Sequence, residues 1–251
     1  MSESLQLAVA AHQAGNLAEA ERLYRATLAA EPRQPDALAL LGVLVSGKGD
    51  HAAALGLIAE ALRLDPQAAL FHLHHGNILM AAGEDATAAF RRAVALQPTM
   101  AAAHYNLGNA LRVAGAWVEA EAAYVQTLRL APEHAEARNN LALCHEQARR
   151  LDDALRELQE TVARHEGYAE GWLNLCNIAE KTGDYALSCR AGTKAAALTP
   201  QNASAWLGLG VALNRLERHE EALEAYRRAL ACRPDWLEAW DNIGQSYQFL
   251  N

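Results

Sequence analysis

The apolar positions of this chain fall in a rhythm that itself repeats. Small residues, usually preceded by Leu or Ile, recur at Ala8, Gly42, Gly76, Gly108, Ala142, Cys176, Gly210 and Gly244. A second small series runs Ala20, Ala54, Ala86, Ala120, Ala154, Ser188 and Ala222, followed four residues later by bulk at Tyr24, Ile58, Phe90, Tyr124, Leu158 and Tyr226. Prolines close most units, at Pro32, Pro66, Pro98, Pro132, Pro200 and Pro234. A period of this length overrides a globular-fold reading. Polar positions keep the same schedule: Asn106, Asn140, Asn174 and Asn242, each directly before an aliphatic residue, are separated by 34, 34 and 68 residues. On a helix turning about 100° per residue, Leu107, Gly108 and Leu111 share one face, and Asn106 and Asn109 fall roughly opposite. Asparagine is an indifferent helix former, so neither propensity nor the core accounts for its return.

The pattern resembles the tetratricopeptide repeat, with Trp240, Ile243, Gly244 and Tyr247 matching its first-helix motif and Ala222, Tyr226 and Pro234 its second. The resemblance covers the whole sequence and implies an all-α fold, a right-handed superhelix or α-solenoid. Its seven helix-turn-helix repeats would span approximately 1–34, 35–68, 69–100, 101–134, 135–168, 169–202 and 203–236, with a terminal helix over 237–251 completing a single solenoid domain, 1–251. Each repeat would pair two antiparallel helices, with Gly or Ala at their closest approach and a second-helix aromatic over the first. Stability would then come from nearest-neighbour stacking. Three units depart from the pattern. The third lacks two residues in its turn, which predicts an early start for its second helix. The fifth has Glu166-Gly167 in place of its proline. The sixth has Gly192 where its siblings carry bulk, which predicts a weak unit with room beneath Trp172 and Trp206.

The first helices of such hairpins line a concave surface, so the resemblance puts Asn106, Asn140, Asn174 and Asn242 in a ladder along an inner groove, with Asn77, Asn109 and Asn177 beside it. An amide carries both donors and an acceptor, which suits holding the backbone of an extended peptide; a merely solvated helix surface is the alternative. Similar ladders hold protein substrates in the arm of O-linked N-acetylglucosamine transferases and their SPINDLY-like bacterial relatives. Gly208, His74 and Leu40 interrupt the series here. Toward the N-terminus the expected inner face is apolar, comprising Ala39, Leu40, Val43, Leu70 and Leu73, and suits an apolar partner or a second copy. Another branch of the family grips acidic chaperone tails with cations and paired asparagines. Here Leu73, Tyr105, Glu136 and Glu170 stand where cations are needed, so like charge disfavours that ligand.

Composition narrows the function further. Apolar residues make up 51% of the 251, enough for a sizeable core or a series of small ones. A net charge of −8 argues against sequence-independent nucleic-acid binding. No stretch approaches the roughly 18 to 20 apolar residues of a membrane span, and no secretory signal is evident. The four cysteines form no CxxC pair, which fits a reducing, cytoplasmic location. His72 and His75 stand three apart, with His104 in the next unit; histidines so spaced can chelate zinc or nickel, but packing explains them more simply. Cys176 and Cys189 sit at close-packing positions. No phosphate-cradling loop or catalytic triad appears, so no enzyme, cofactor or metal is expected. The expectation is a non-catalytic module that holds an extended peptide or protein segment in its groove, as the arm of a larger transferase does; the sequence stops partway through a unit, which fits either an arm cut from a longer protein or a final helix that serves as a natural cap. The alternative is a self-associating scaffold that forms homo-oligomers.

Overall fold

The computed structural model describes residues 3–250, except the Leu250 side chain; Met1, Ser2 and Asn251, which the expected first repeat and terminal helix include, lie outside the described residues. Those residues form helices and turns with no strand. The helices are α1 Glu3–Gln13, α2 Leu17–Ala30, α3 Pro35–Gly47, α4 His51–Leu64, α5 Ala69–Ala81, α6 Thr87–Leu96, α7 Ala101–Val113, α8 Trp117–Leu130, α9 Ala135–Gln147, α10 Leu151–Arg164, α11 Ala169–Thr182, α12 Tyr185–Leu198, α13 Ala203–Arg215, α14 His219–Cys232 and α15 Leu237–Leu250. Odd and even helices pair in sequence as hairpins. Two compact units result: Met1–Leu130 holds the hairpins from α1 to α8, and Ala131–Asn251 holds three hairpins and α15.

The hairpins form because the turn is short and chemically marked. Its central residue is left-handed at Gly15, Gly49, Gly83, Gly115 and Gly183, and also at Arg149 (φ 58) and Glu217 (φ 60). Asn16, Asp50 and Asp184 then cap the second helix, each side chain accepting from the backbone N–H three residues on. Inside the hairpin, small residues of the second helix, such as Ala20, Ala54, Ala120, Ala154 and Ala222, are fully buried. A Cβ on Gly76, Gly108 or Gly210 would stand 2.4, 2.6 or 2.4 Å from the ring of Phe90, Tyr124 or Tyr226. The glycine and the aromatic are thus one packing device.

Three expectations need correction. The shortened third turn does not start its second helix early. α6 begins at Thr87, after the buried Ala86, whereas α2, α4 and α8 begin three residues before Ala20, Ala54 and Ala120. The deletion is absorbed as a lost first helical turn, and Asp85, one residue before the cap position Ala86, accepts from Thr87 N–H at 2.8 Å. Gly192 does not leave room: a Cβ there would lie 3.0 Å from Leu209 Cα and 3.1 Å from Cys176 Sγ, because α13 approaches α12 closely at that point. Finally, Ala39 and Leu73 of the expected apolar face are buried in the core, Leu73 at 7% exposure. Leu40 and Val43 are half-buried, and Leu70 stands out at 46%.

Candidate functional site

In the second unit a cleft of about 510 Å³ runs along the first helices of the hairpins. Leu143 and Glu146 come from α9, Asn174, Asn177 and Lys181 from α11, Gly208, Val211 and Arg215 from α13, and Glu238 and Asn242 from α15. An adjoining cleft of about 450 Å³ shares Val211, Arg215 and Asn242, and adds Asn214, Glu217, His219, Tyr226, Gln245 and Phe249. The lining mixes amide and aliphatic groups. It also carries charge: Lys181 pairs with Glu146, Arg215 stands 3.6 Å from Glu180, and the Arg215 guanidinium lies 5.8 Å over the Tyr185 ring.

Individual asparagines differ in their surroundings. Asn177 is exposed and Asn242 half-buried on the cleft wall. Asn174 donates from Nδ2 to Oδ1 of Asn139 at 2.9 Å, and Asn139 is fully buried with its own Nδ2 unpartnered. Asn140 is only 9% exposed, so it belongs partly to the core rather than to a solvated face. In the first unit Asn106 donates from Nδ2 to Asn77 Oδ1 at 2.7 Å, and the Tyr124 hydroxyl donates to Asn109 Oδ1 at 2.8 Å. These bonds fix the amides' orientation, and an amide that spends one group internally has others to offer.

The histidines have a structural role. His72 Nε2 bonds the Pro66 carbonyl at 3.0 Å, and His104 Nε2 bonds that of Pro98 at 2.9 Å. Arg138 to Pro132, Trp172 to Glu166, Trp206 to Pro200 and Trp240 to Pro234 repeat the same reach to the carbonyl six residues back, at 2.8 to 3.0 Å. Each is a strut from the first helix to the preceding loop, and the carbonyl, not the proline ring, is what it needs; the fifth unit therefore works with Glu166. Among the described residues no group of three or more His, Cys, Asp or Glu is placed to hold a metal ion. Cys176 is buried against Ser188 and its thiol is pushed up to about 11, chiefly by that burial, so it is protonated rather than nucleophilic.

Sequence reasoning missed Asn139, Val211 and Arg215 as cleft or support residues and read Tyr226 as packing bulk alone. Only Val211 left a readable trace, since it stands three periods after Asn109.

Two family models, both described as tetratricopeptide repeat, match the protein. One covers residues 5–69, 46–101, 119–169, 147–202 and 173–235, the other residues 101–134. A curated relative, Tetratricopeptide repeat protein 37 of Xenopus laevis, is 38% identical over 63 residues, which are 25% of this chain and 4% of that protein's length. Among solved structures, PilF of Pseudomonas aeruginosa is similar at TM-score 0.73 and 20% identity, over 84% of this chain and 97% of that one. YrrB, described as a TPR protein with an unusual peptide-binding site, is similar at TM-score 0.62 and 23% identity, over 73% of this chain and 96% of that one. At these identities the structural likeness concerns the fold. Among the described residues no helix is long and apolar enough to cross a membrane.

Proposed function

The chain belongs to the tetratricopeptide repeat family, whose members are protein-interaction scaffolds, and from that premise we propose that it is a non-catalytic module holding an extended protein segment along its first helices. The observation that carries this reading is the 510 Å³ cleft, whose wall is drawn from α9, α11, α13 and α15 and displays Asn174, Asn177 and Asn242. Amides in that arrangement grip the peptide backbone and leave side-chain sequence largely unread. Service as the substrate-recognition arm of a larger transferase is a narrower form of the proposal. It is supported by the phase of the asparagines alone.

Peptides selected from a displayed random library against the protein provide the test. Asn177→Ala with Asn242→Ala is the informative variant, because Asn174→Ala would also strip a hydrogen bond from buried Asn139. Two lost hydrogen bonds of about 0.5–1.5 kcal/mol each should weaken selected peptides roughly 5-fold to 150-fold, by similar factors across different side-chain sequences. Unchanged affinity in a variant of unchanged helicity would remove the groove reading.

A second reading, the self-associating scaffold, is favoured by α15. Leu237 is 77% exposed, Trp240 and Phe249 are exposed, and no atom stands within 4 Å of where a Gly244 Cβ would be. In α5, α7 and α13 the corresponding glycine is covered by an aromatic ring.

A further inference from the structure

Three tyrosines of the second helices, Tyr24, Tyr124 and Tyr226, are wholly buried. Two have hydroxyl partners: Tyr24 meets His12 Nδ1 at 3.1 Å, and Tyr124 donates to Asn109 Oδ1 at 2.8 Å. The Tyr226 hydroxyl has none. The position that Asn109 occupies beside Tyr124 is Val211 beside Tyr226, which has no acceptor to offer. Asn214 is close by, but its Oδ1 already accepts from His219 at 2.6 Å and from Ser246 at 3.3 Å. Yet Tyr226 lines the 450 Å³ cleft with Val211, Arg215, Asn242, Gln245 and Phe249. A buried donor left unmet is costly, whereas one that meets an acceptor in the bound state contributes to affinity. Burial also pushes its pKa well above the usual phenol value, so the hydroxyl is a donor throughout the physiological range.

We propose that Tyr226 is an anchor for an uncharged carbonyl, the backbone peptide carbonyl of a neutral or basic extended segment that reaches it by displacing the side chains covering it, and that Val211 creates the site by leaving the hydroxyl unpaired beneath the cleft wall. This rests on the groove reading and adds a residue from a second helix to it. Local charge selects a carbonyl over a carboxylate. The two clefts carry Glu146, Glu180, Glu217 and Glu238 against Lys181 and Arg215, and both cations already face carboxylates. An incoming anion would meet net negative potential, while a neutral acceptor meets the hydroxyl, the amides of Asn242 and Gln245, and apolar walls at Val211 and Phe249.

Two probes separate the chemistries: N-methylacetamide as a mimic of the peptide backbone and acetate as an anion. They are titrated into protein labelled at tyrosine 13Cζ, with the Tyr226 signal identified by its loss in Tyr226→Phe. N-methylacetamide should move that signal saturably and acetate should not. Val211→Asn, which restores the amide that Tyr124 enjoys, should weaken the response about 10-fold by pairing the hydroxyl internally. Tyr226→Phe should leave the melting temperature unchanged or higher, whereas Tyr124→Phe, which deletes a made hydrogen bond, should lower it. A stronger response to acetate, no response to N-methylacetamide, or a Tyr226→Phe loss as large as that of Tyr124→Phe would each overturn the proposal. Selected peptides separate its failure from that of the groove: affinity lost in the Asn177/Asn242 variant but kept in Val211→Asn and Tyr226→Phe leaves the groove and removes the anchor, and affinity kept in all three removes both.

Discussion

Arg149 and Glu217 occupy the turn position that glycine fills in the other hairpins, and both are held at positive φ. A residue with a Cβ costs about 1–2 kcal/mol in left-handed backbone, part of which a glycine returns through the greater freedom of its unfolded state. Arg149→Gly and Glu217→Gly should therefore each raise stability by about 0.5–1 kcal/mol, read as a higher urea midpoint at unchanged slope. A lower midpoint would mean that the side chains make contacts worth more than the strain. His74 supplies the opposite kind of residue effect. Burial, reinforced by His12, depresses its pKa below the ordinary 6.5, and its Nε2 has no partner. The unfolded state then binds the proton more readily than the folded one, so the associated stability is complete above about pH 6.5 and is lost as pH falls from there through the depressed folded value. His74→Phe should flatten the fall in melting temperature between pH 7.5 and pH 5; an unaltered pH profile would contradict this account. Neither effect shows in composition, because each depends on a backbone angle or a desolvated nitrogen.

Helix pairing was the most legible element-level property, and its details the least. The series of small residues and the bulk four positions later marked the faces on which α1 to α14 pair, since these contacts arise between neighbouring segments of one unit. Gly192 shows where such reasoning stops. Judged by its siblings it is a gap, but α13 has moved onto α12 there, and an added methyl group meets Leu209 backbone. Gly192→Ala should lower stability by about 1–3 kcal/mol through overpacking, outweighing a helix-propensity gain of about 1 kcal/mol. Gly56, within α4 and with nothing in reach of an added Cβ, is the control: Gly56→Ala should be stabilising. A rise in melting temperature for both would show that α12 and α13 can part without cost. The late start of α6 follows the same logic, because keeping Ala86 buried against its neighbours outweighs retaining a full first turn.

For the molecule as a whole, the scaffold reading expects the exposed apolar residues of α15 to meet a second copy. Light scattering over a range of micromolar concentrations decides it: a mass that grows with concentration and reverts in Leu237→Glu supports the scaffold reading, and a constant monomer mass ends it. The sequence by itself determined that the protein is all-helical, about how many hairpins it makes and which small and bulky residues meet between paired helices. Those properties follow from periodicity, because residues that must touch within a hairpin lie at fixed, short separations and leave the same mark in every unit. Only tertiary structure decided which of the asparagines were already engaged, that His72 and His104 are struts, and that Tyr226 has no partner. An amide or hydroxyl has the same polarity whether it is paired or vacant. Its state is set by an atom about 3 Å away on another helix, and that distance is a product of packing.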